Sequence, residues 1–252
     1  MPRFAANLSQ MFQEVPFLER FGHAATAGFK AVEFLFPYEH EAAAIRAELD
    51  AHGLDLALYN TPPGNWDAGE RGAAAVPGLD VRFEQDIERA LTYAAVLKPR
   101  NIHVMAGIAQ GPEARSDYVA RLARAAAITP DQGLVIEPIN HRDMPGYHLQ
   151  TTEAARAVIA EVAAPNLRLQ LDLYHAQIME GDLTRRIEAL APLIAHVQVA
   201  GVPLRHEPDA GELNFHALME TLDQVGYTGW VGCEYRPAGR TEDGLGWFSR
   251  YR

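Results

Sequence analysis

The chain has 252 residues, with 22 Lys and Arg against 33 Asp and Glu, a formal net charge of 22 − 33 = −11 with His neutral. That balance argues against a duplex nucleic acid or a polybasic membrane contact, because neutralising phosphates takes clustered Lys and Arg. With 48% hydrophobic and 22% charged residues the composition is that of a folded globular protein rather than a fibre or a disordered tail.

At this length the chain forms one large α/β domain or two smaller ones. Charge interrupts the apolar stretches before the ~18 residues that would cross a bilayer, so no membrane span is expected. The opening Met1–Leu8 lacks the apolar run of a secretory leader. A single Cys233 excludes an intramolecular disulfide, and a reducing cytoplasm is the expected compartment.

Short runs rich in Val, Ile and Leu alternate with stretches of helical spacing. In chain order the sequence predicts a strand at Phe4–Leu8, a helix at Pro16–Ala27, a strand at Ala31–Phe36 and a helix at His40–His52. A strand at Leu54–Asn60 and a helix at Val81–Leu97 follow, then a strand at Asn101–Ala106 and a helix at Glu113–Ala127. The second half repeats the pattern: strand Leu134–Ile139, helix Thr152–Val162, strand Leu167–Asp172, helix Leu183–Leu190, strand His196–Ala200, helix Phe215–Val225 and strand Trp230–Tyr235. Gly28 and Gly53 follow helical runs, Gly226 precedes a turn, and Thr151/Thr152 beside Glu153 reads as a helix N-cap.

Eight strands with intervening helices imply right-handed crossovers, a parallel sheet and closure into a single (β/α)8 TIM barrel spanning residues 1–252. There is no G-x-G-x-x-G after the first strand and no P-loop, which demotes nucleotide-cradling folds. The Gly- and Pro-rich segment Thr61–Asp80 is long enough to sit over the barrel mouth as a lid or binding loop.

Oxygen-bearing side chains end the late strands: Glu137, Asp172, Gln198 and Glu234. In a parallel barrel all strand C-termini open on one face, so these four converge across the mouth. Each alone is most simply a solvated strand end. Together, three carboxylates repel one another unless partly protonated or held by a cation, and a hard divalent ion, Mg²⁺ or Mn²⁺, suits oxygen ligands. Asn7, Glu33 and His103 fall on early strands that face the same mouth.

At these residues the sequence resembles the hydroxypyruvate isomerase family, part of the xylose-isomerase-like group of TIM barrels, which includes 2-oxo-tetronate isomerases. The resemblance rests on Asn7-Leu8-Ser9 with Glu14-Val15-Pro16-Phe17, Gly28–Tyr38, Gly64-Asn65-Trp66 with Gly69-Glu70-Arg71-Gly72, and Glu137-Pro138-Ile139-Asn140. It continues through Asp172–Gln177, His196-Val197-Gln198 with Arg205-His206-Glu207-Pro208, and Gly211-Glu212-Leu213-Asn214, so it covers the chain from end to end. It implies that Glu137 and Glu234 are paired acid/base carboxylates and that Glu137, Asp172, Gln198 and Glu234 surround a divalent metal. In the related ketose 3-epimerases the third ligand position is normally His, where this chain has Gln198. Those enzymes also carry a His matched by His175 and an Arg shortly after the third ligand; here Leu204 holds the expected spacing and Arg205 follows.

The reaction so implied moves a carbonyl between neighbouring carbons of a small anionic hydroxy-oxo acid, through an enediolate and without a nucleotide or redox cofactor. Its carboxylate needs cationic donors, for which Arg71, His175, Arg205 and His206 are the candidates; Arg71 and Arg205 read equally as solvated loop residues. A homo-oligomer fits the resemblance. Three other readings use the same barrel: a ketose 3-epimerase, an endonuclease-IV-like phosphodiesterase holding several metals, and a non-catalytic sugar-binding barrel. The acidic balance disfavours the phosphodiesterase, and retention of both Glu disfavours the non-catalytic barrel.

Overall fold

A computed structural model describes residues 1–251, and among them eight parallel strands close into a barrel in the order of the chain. The strands are β1 (Arg3–Asn7), β2 (Ala31–Glu33), β3 (Asp55–Asn60), β4 (Asn101–His103), β5 (Gly133–Ile136), β6 (Leu167–Asp172), β7 (Ile194–Gln198) and β8 (Trp230–Cys233). β8 pairs with β1 through Phe4 opposite Val231 and Ala5 opposite Gly232, which removes both sheet edges. Most strands are shorter than their apolar runs. Phe34–Phe36 and Val104–Ala106 leave the regular ladder at the mouth: Phe34 and Val104 still donate to Leu58 and Val135 of the neighbouring strands, while Leu35, Met105 and Ala106 N–H groups turn to the side chains of Ser9, Thr61 and Tyr147.

The helices are α1 (Arg20–Thr26), α2 (Ala42–His52), α3 (Asp80–Leu97), α4 (Gly111–Ile128), α5 (Thr152–Val162), α6 (Leu173–Met179), α7 (Leu183–Leu190) and α8 (Phe215–Gln224). Thr151 caps α5 by accepting from Ala154 N at 3.2 Å, and Gly53 ends α2 at φ 61°, ψ 40°, both as expected. Helix α6 was not expected. It starts on the residue after β6, with the Asp172 side chain as its cap, so no loop residues mark it in the sequence. None of the helices in the described residues is long and apolar enough to cross a membrane.

The main apolar core lies between strands and helices, not inside the barrel. Phe4, Ala6, Leu8 and Val32 belong to it, whereas Ala5, Ala31 and Ala57 pack with Trp230 in a separate small cluster. Successive strand residues face opposite sides, so Asn7 and Glu33 sit one step above Ala5 and Ala31 on the inner face. The barrel interior is therefore small and apolar at its base and polar above. Gly232 is part of that design: a Cβ there would lie 2.1 Å from the Glu33 carboxylate, so glycine makes the room that a buried Glu needs.

The Thr61–Asp80 segment is fastened, not loose. Gly72 bridges to Ala106, and at φ 107° a Cβ on it would lie 2.4 Å from the Met105 carbonyl oxygen. Ala73, Ala74 and Ala75 are buried behind it. Arg121, almost fully buried on α4, clamps the same segment by donating to the carbonyls of Ala73 and Val76 and pairing with Asp80 at 2.9 Å. The loop carbonyls draw this helical arginine inside, where a solvated face would be its ordinary place. The tip at 65–70, with Trp66, and the far end at Pro77, Gly78 and Asp80 remain exposed, and Trp66 packs against Phe36.

Candidate active site

A cavity of about 280 Å³ opens at the C-terminal mouth. Glu137, Gln198 and Glu234 line it, with His175 and Arg205. Asp172 lies directly behind these two, its Oδ2 at 3.5 Å from His175 Nε2 and 3.7 Å from Arg205 Nη2. The four late-strand residues are thus brought together, each 6% exposed or less. The architecture explains why: all four sit at the upper ends of β5 to β8, on the inner face.

Arg71 and His206 are not brought into the cavity, which corrects their reading as substrate donors. The Arg71 guanidinium stacks on Trp66 at 3.7 Å and donates to the carbonyls of Trp66 and Glu70, so the lid uses it internally. The His206 ring is 2.7 Å from the Arg236 carbonyl oxygen and holds the loop after β8.

Two arginines, Arg205 and Arg236, line the cavity, and Arg205 is the one paired with its carboxylates. Arg205 is half-buried at φ 58°, paired with Glu234 at 3.4 Å and Asp143 at 3.3 Å, and lies over the Tyr174 ring at 4.9 Å. Burial works against its charge, but Glu234, Asp172, Asp143 and Glu137 together raise its pKa further. Asp143 and Tyr174 went unremarked in the sequence. Their only signal was proximity, Asp143 six residues beyond Glu137 and Tyr174 two beyond Asp172, and only the folded loops turn proximity into contact.

The tautomer of His175 follows from its partners. Asn140 Oδ1 accepts from the backbone N–H groups of Arg142 and Asp143 at 2.9 and 2.8 Å, so its amide NH₂ is the end facing His175 Nδ1 at 2.6 Å. Nδ1 is therefore the acceptor, and Nε2 carries the proton. Burial first, and then Arg205, hold the imidazole well below its ordinary pKa, so it is neutral. Its Nε2–H points between Asp172 Oδ2 and Glu137 Oε1, at 3.5 and 3.8 Å. His175 is an N–H donor here, although Glu137, Asp172 and His175 lie close enough together to enclose an ion. His103 makes a second such contact: burial pushes its pKa down to about 3, and Nδ1 lies 3.4 Å from Glu137 Oε2.

The carboxyl groups are pushed the other way. Burial, and then the charges of Glu234 and Asp172, raise Glu137 well above the usual range. Burial also lifts Asp172 to about 6 and Glu234 to about 8, with Arg205 opposing in both cases. Glu137 Oε1 and Asp172 Oδ2 are buried without a hydrogen-bond partner among the described residues. Buried carboxylate oxygens left bare are costly unless a proton or a cation meets them. The bare oxygens of Glu137 and Asp172 fit a hard divalent ion, with Glu234 and Gln198 offering further oxygens on the same cavity wall and His175 presenting an N–H.

Eight parallel strands with convergent acids at their C-terminal ends define an enzyme of the xylose isomerase-like TIM barrel class, and the model of that family matches residues 21–251. The chain is 54% identical to a 2-oxo-tetronate isomerase of Cupriavidus necator, over 100% of this chain and 99% of that one. It is 42% identical to the hydroxypyruvate isomerase of Escherichia coli, with all of both chains covered. A crystal structure titled as an AP endonuclease, family 2, from Brucella melitensis superposes with a TM-score of 0.98 at 51% identity over both full chains. The chain belongs to the hydroxypyruvate isomerase family and is an isomerase.

Proposed function

We propose that the protein interconverts a small hydroxy-oxo acid and its aldehyde form, of the hydroxypyruvate or 2-oxo-tetronate type, with Glu137 and Glu234 as the acid/base pair. The observation that carries this reading is the company these two carboxyls keep. Both are buried, both are raised toward neutral pH, and one guanidinium, Arg205, stands beside them to receive an anionic substrate. A carboxyl that exchanges its proton near the working pH suits general acid–base transfer at carbon.

One Glu removes the proton from the hydroxyl-bearing carbon, the enediolate forms, and the other Glu returns a proton to the former carbonyl carbon. A proton also passes from one substrate oxygen to its neighbour, so the acid is isomerised without net loss or gain. His175 Nε2–H is placed to hydrogen-bond a substrate oxygen, and Arg205 to fork onto the carboxylate. Trp66 and Phe36 wall the cavity and exclude water. Mg²⁺ or Mn²⁺, held by Glu137, Asp172, Glu234 and Gln198, would supply Lewis-acid stabilisation of the charge developing on the substrate oxygens.

The cavity volume supports a short substrate, being below the roughly 300–1,000 Å³ of sites for drug-sized ligands. The acidic balance and the lone buried Cys233 accord with a cytoplasmic enzyme acting on a metabolite and not on nucleic acid, alone or as a homo-oligomer. The test is to follow hydroxypyruvate, the 2-oxo-tetronates and a panel of ketoses by NMR with the purified protein, with and without a chelator. Conversion of one of the acids and none of the ketoses is expected. Epimerisation of a ketose with no change in the acids would replace this reading by a 3-epimerase, and full activity after verified metal removal would remove the ion from it.

A further inference from the structure

Glu33 is a buried carboxylate that the acid/base chemistry does not use. It sits on β2 with no exposed surface and outside the wall of the cavity. Three donors converge on it: Asn7 Nδ2 at 2.9 Å and Gln198 Nε2 at 2.8 Å on Oε1, and His196 Nε2 at 2.6 Å on Oε2. Room for this carboxylate inside the barrel exists because position 232 is glycine.

The contact to Gln198 settles which end of that carboxamide faces where. Oxygen and nitrogen of an amide have nearly the same shape, but a carboxylate oxygen only accepts, so the end 2.8 Å from Glu33 is the NH₂. The other end is the oxygen, and Gln170 Nε2 donates to it at 2.6 Å. Gln198 and Gln170 both line the cavity, whereas Glu33 does not. The carboxamide therefore keeps its NH₂ toward the barrel interior and its oxygen on the cavity side. Gln170 occupies one lone pair of that oxygen and leaves the second for a cation.

We infer that Glu33 is a positioning residue for cation binding, locking the Gln198 carboxamide with its oxygen toward the Glu137–Asp172–Glu234 cluster. The inference rests on the cation in the proposed function and explains how a glutamine serves there. An unconstrained carboxamide presents its NH₂ to the site as readily as its oxygen, and a free NH₂ repels a cation. With Glu33 beneath it, only one orientation satisfies both ends. Glu33 also adds a fixed negative charge below the cluster, where it favours a cation above.

A Glu33→Gln substitution reverses the lock. With the new NH₂ on the side of Asn7 and Gln198, rotation of Gln198 by half a turn relieves the clash by turning its NH₂ toward the cation; with the NH₂ on the side of His196, the fixed negative charge below the cluster is still lost. The double substitution E33Q/Q198E restores the match between these two positions: position 33 then donates to position 198 from the end that Asn7 also faces, its oxygen accepts from His196, and only the Asn7 contact is lost. Gln170 still finds an acceptor.

The experiment titrates Mn²⁺ into the metal-free proteins and reads free aqueous Mn²⁺ by electron paramagnetic resonance, with circular dichroism to confirm folding. E33Q is expected to bind Mn²⁺ about 10- to 100-fold more weakly than wild type, the usual cost of losing the partner of a ligand. E33Q/Q198E is expected to bind at least as tightly as wild type. Affinity unchanged in E33Q, or a folded double variant that binds poorly, overturns the inference. Should E33Q fail to fold, the double variant decides alone, in the same two directions. A wild-type protein without a saturable Mn²⁺ site overturns the cation reading itself, an outcome distinct from wild-type binding that survives E33Q.

Discussion

Glu33 and Glu137 are both glutamates buried inside the same barrel, and they differ in what meets their oxygens. Glu33 accepts three hydrogen bonds and is complete. Glu137 has one oxygen near the His103 ring and the other bare, with Asp172 and Glu234 adding unfavourable charge. An unsatisfied buried carboxylate costs stability, so its persistence marks work done on a ligand, whereas a satisfied one marks support. The barrel stacks these two kinds of acid, the satisfied one below and the bare one at the mouth. Burial and charge alone do not tell them apart; partner counts do.

The largest effect expected from this contrast is on turnover. Glu137→Gln and Glu234→Gln are each expected to lower kcat by about 10²- to 10⁴-fold, the range for loss of a general acid or base. Both should keep the wild-type fold, since each removes a repelling charge. Steady-state kinetics beside thermal melting checks this, and near-normal turnover in either variant breaks the pairing.

Arg205→Lys comes next. It keeps the charge but loses the fork that faces Glu234, Asp172 and the substrate carboxylate. A charge-assisted hydrogen bond is worth about 1.5–3 kcal/mol, so KM should rise roughly ten- to hundredfold, with kcat changed less. A KM equal to wild type would mean that the substrate carboxylate binds elsewhere.

The buried carboxyls at the mouth also predict a pH dependence. With folded pKa values of about 6 for Asp172 and about 8 for Glu234, both bind protons more tightly folded than unfolded. Their contribution to stability is complete below the ordinary carboxylate range and is lost as pH rises through those values. The metal-free protein should melt at a lower temperature at about pH 9 than at about pH 5, and Mn²⁺ should raise the melting temperature most at the higher pH. A melting temperature that rises over this range, or the same Mn²⁺ effect at both ends, would show that the cluster is already compensated.

The smallest effects belong to the two residues placed outside the cavity. Arg71→Ala and His206→Ala should leave KM for the acid substrate nearly unchanged, because their polar atoms are engaged by loop carbonyls. A large rise in KM for either would show that the lid rearranges over substrate.

Much of this was legible in the residues. Alternation of apolar runs marks all eight strands and seven of the eight helices, and the oxygen-bearing side chains that end four successive strands mark the mouth. What escaped was short or mediated by contact. Helix α6 follows β6 with no loop between, so Asp172 reads only as a strand end while it also caps a helix with Oδ1 and presents Oδ2 to the site. Asn140 fixes the His175 tautomer from 35 residues away, and Asp143 and Tyr174 brace Arg205. Arg71 and Arg205 looked alike as loop arginines. Folding put one on a tryptophan at the rim and the other among four carboxylates, a difference that no local pattern carries.

The central claim is that Glu137 and Glu234 move a proton at carbon, and deuterium exchange tests it most directly. The wild-type protein and the two Gln variants are incubated in deuterated water with hydroxypyruvate and the 2-oxo-tetronates, and the carbon next to the carbonyl is followed by NMR. Wild type should introduce deuterium there in one of the acids, and both variants should lose that exchange while remaining folded. Exchange that survives in both variants, or isomerisation by the wild type with no deuterium entering from solvent, would contradict the account.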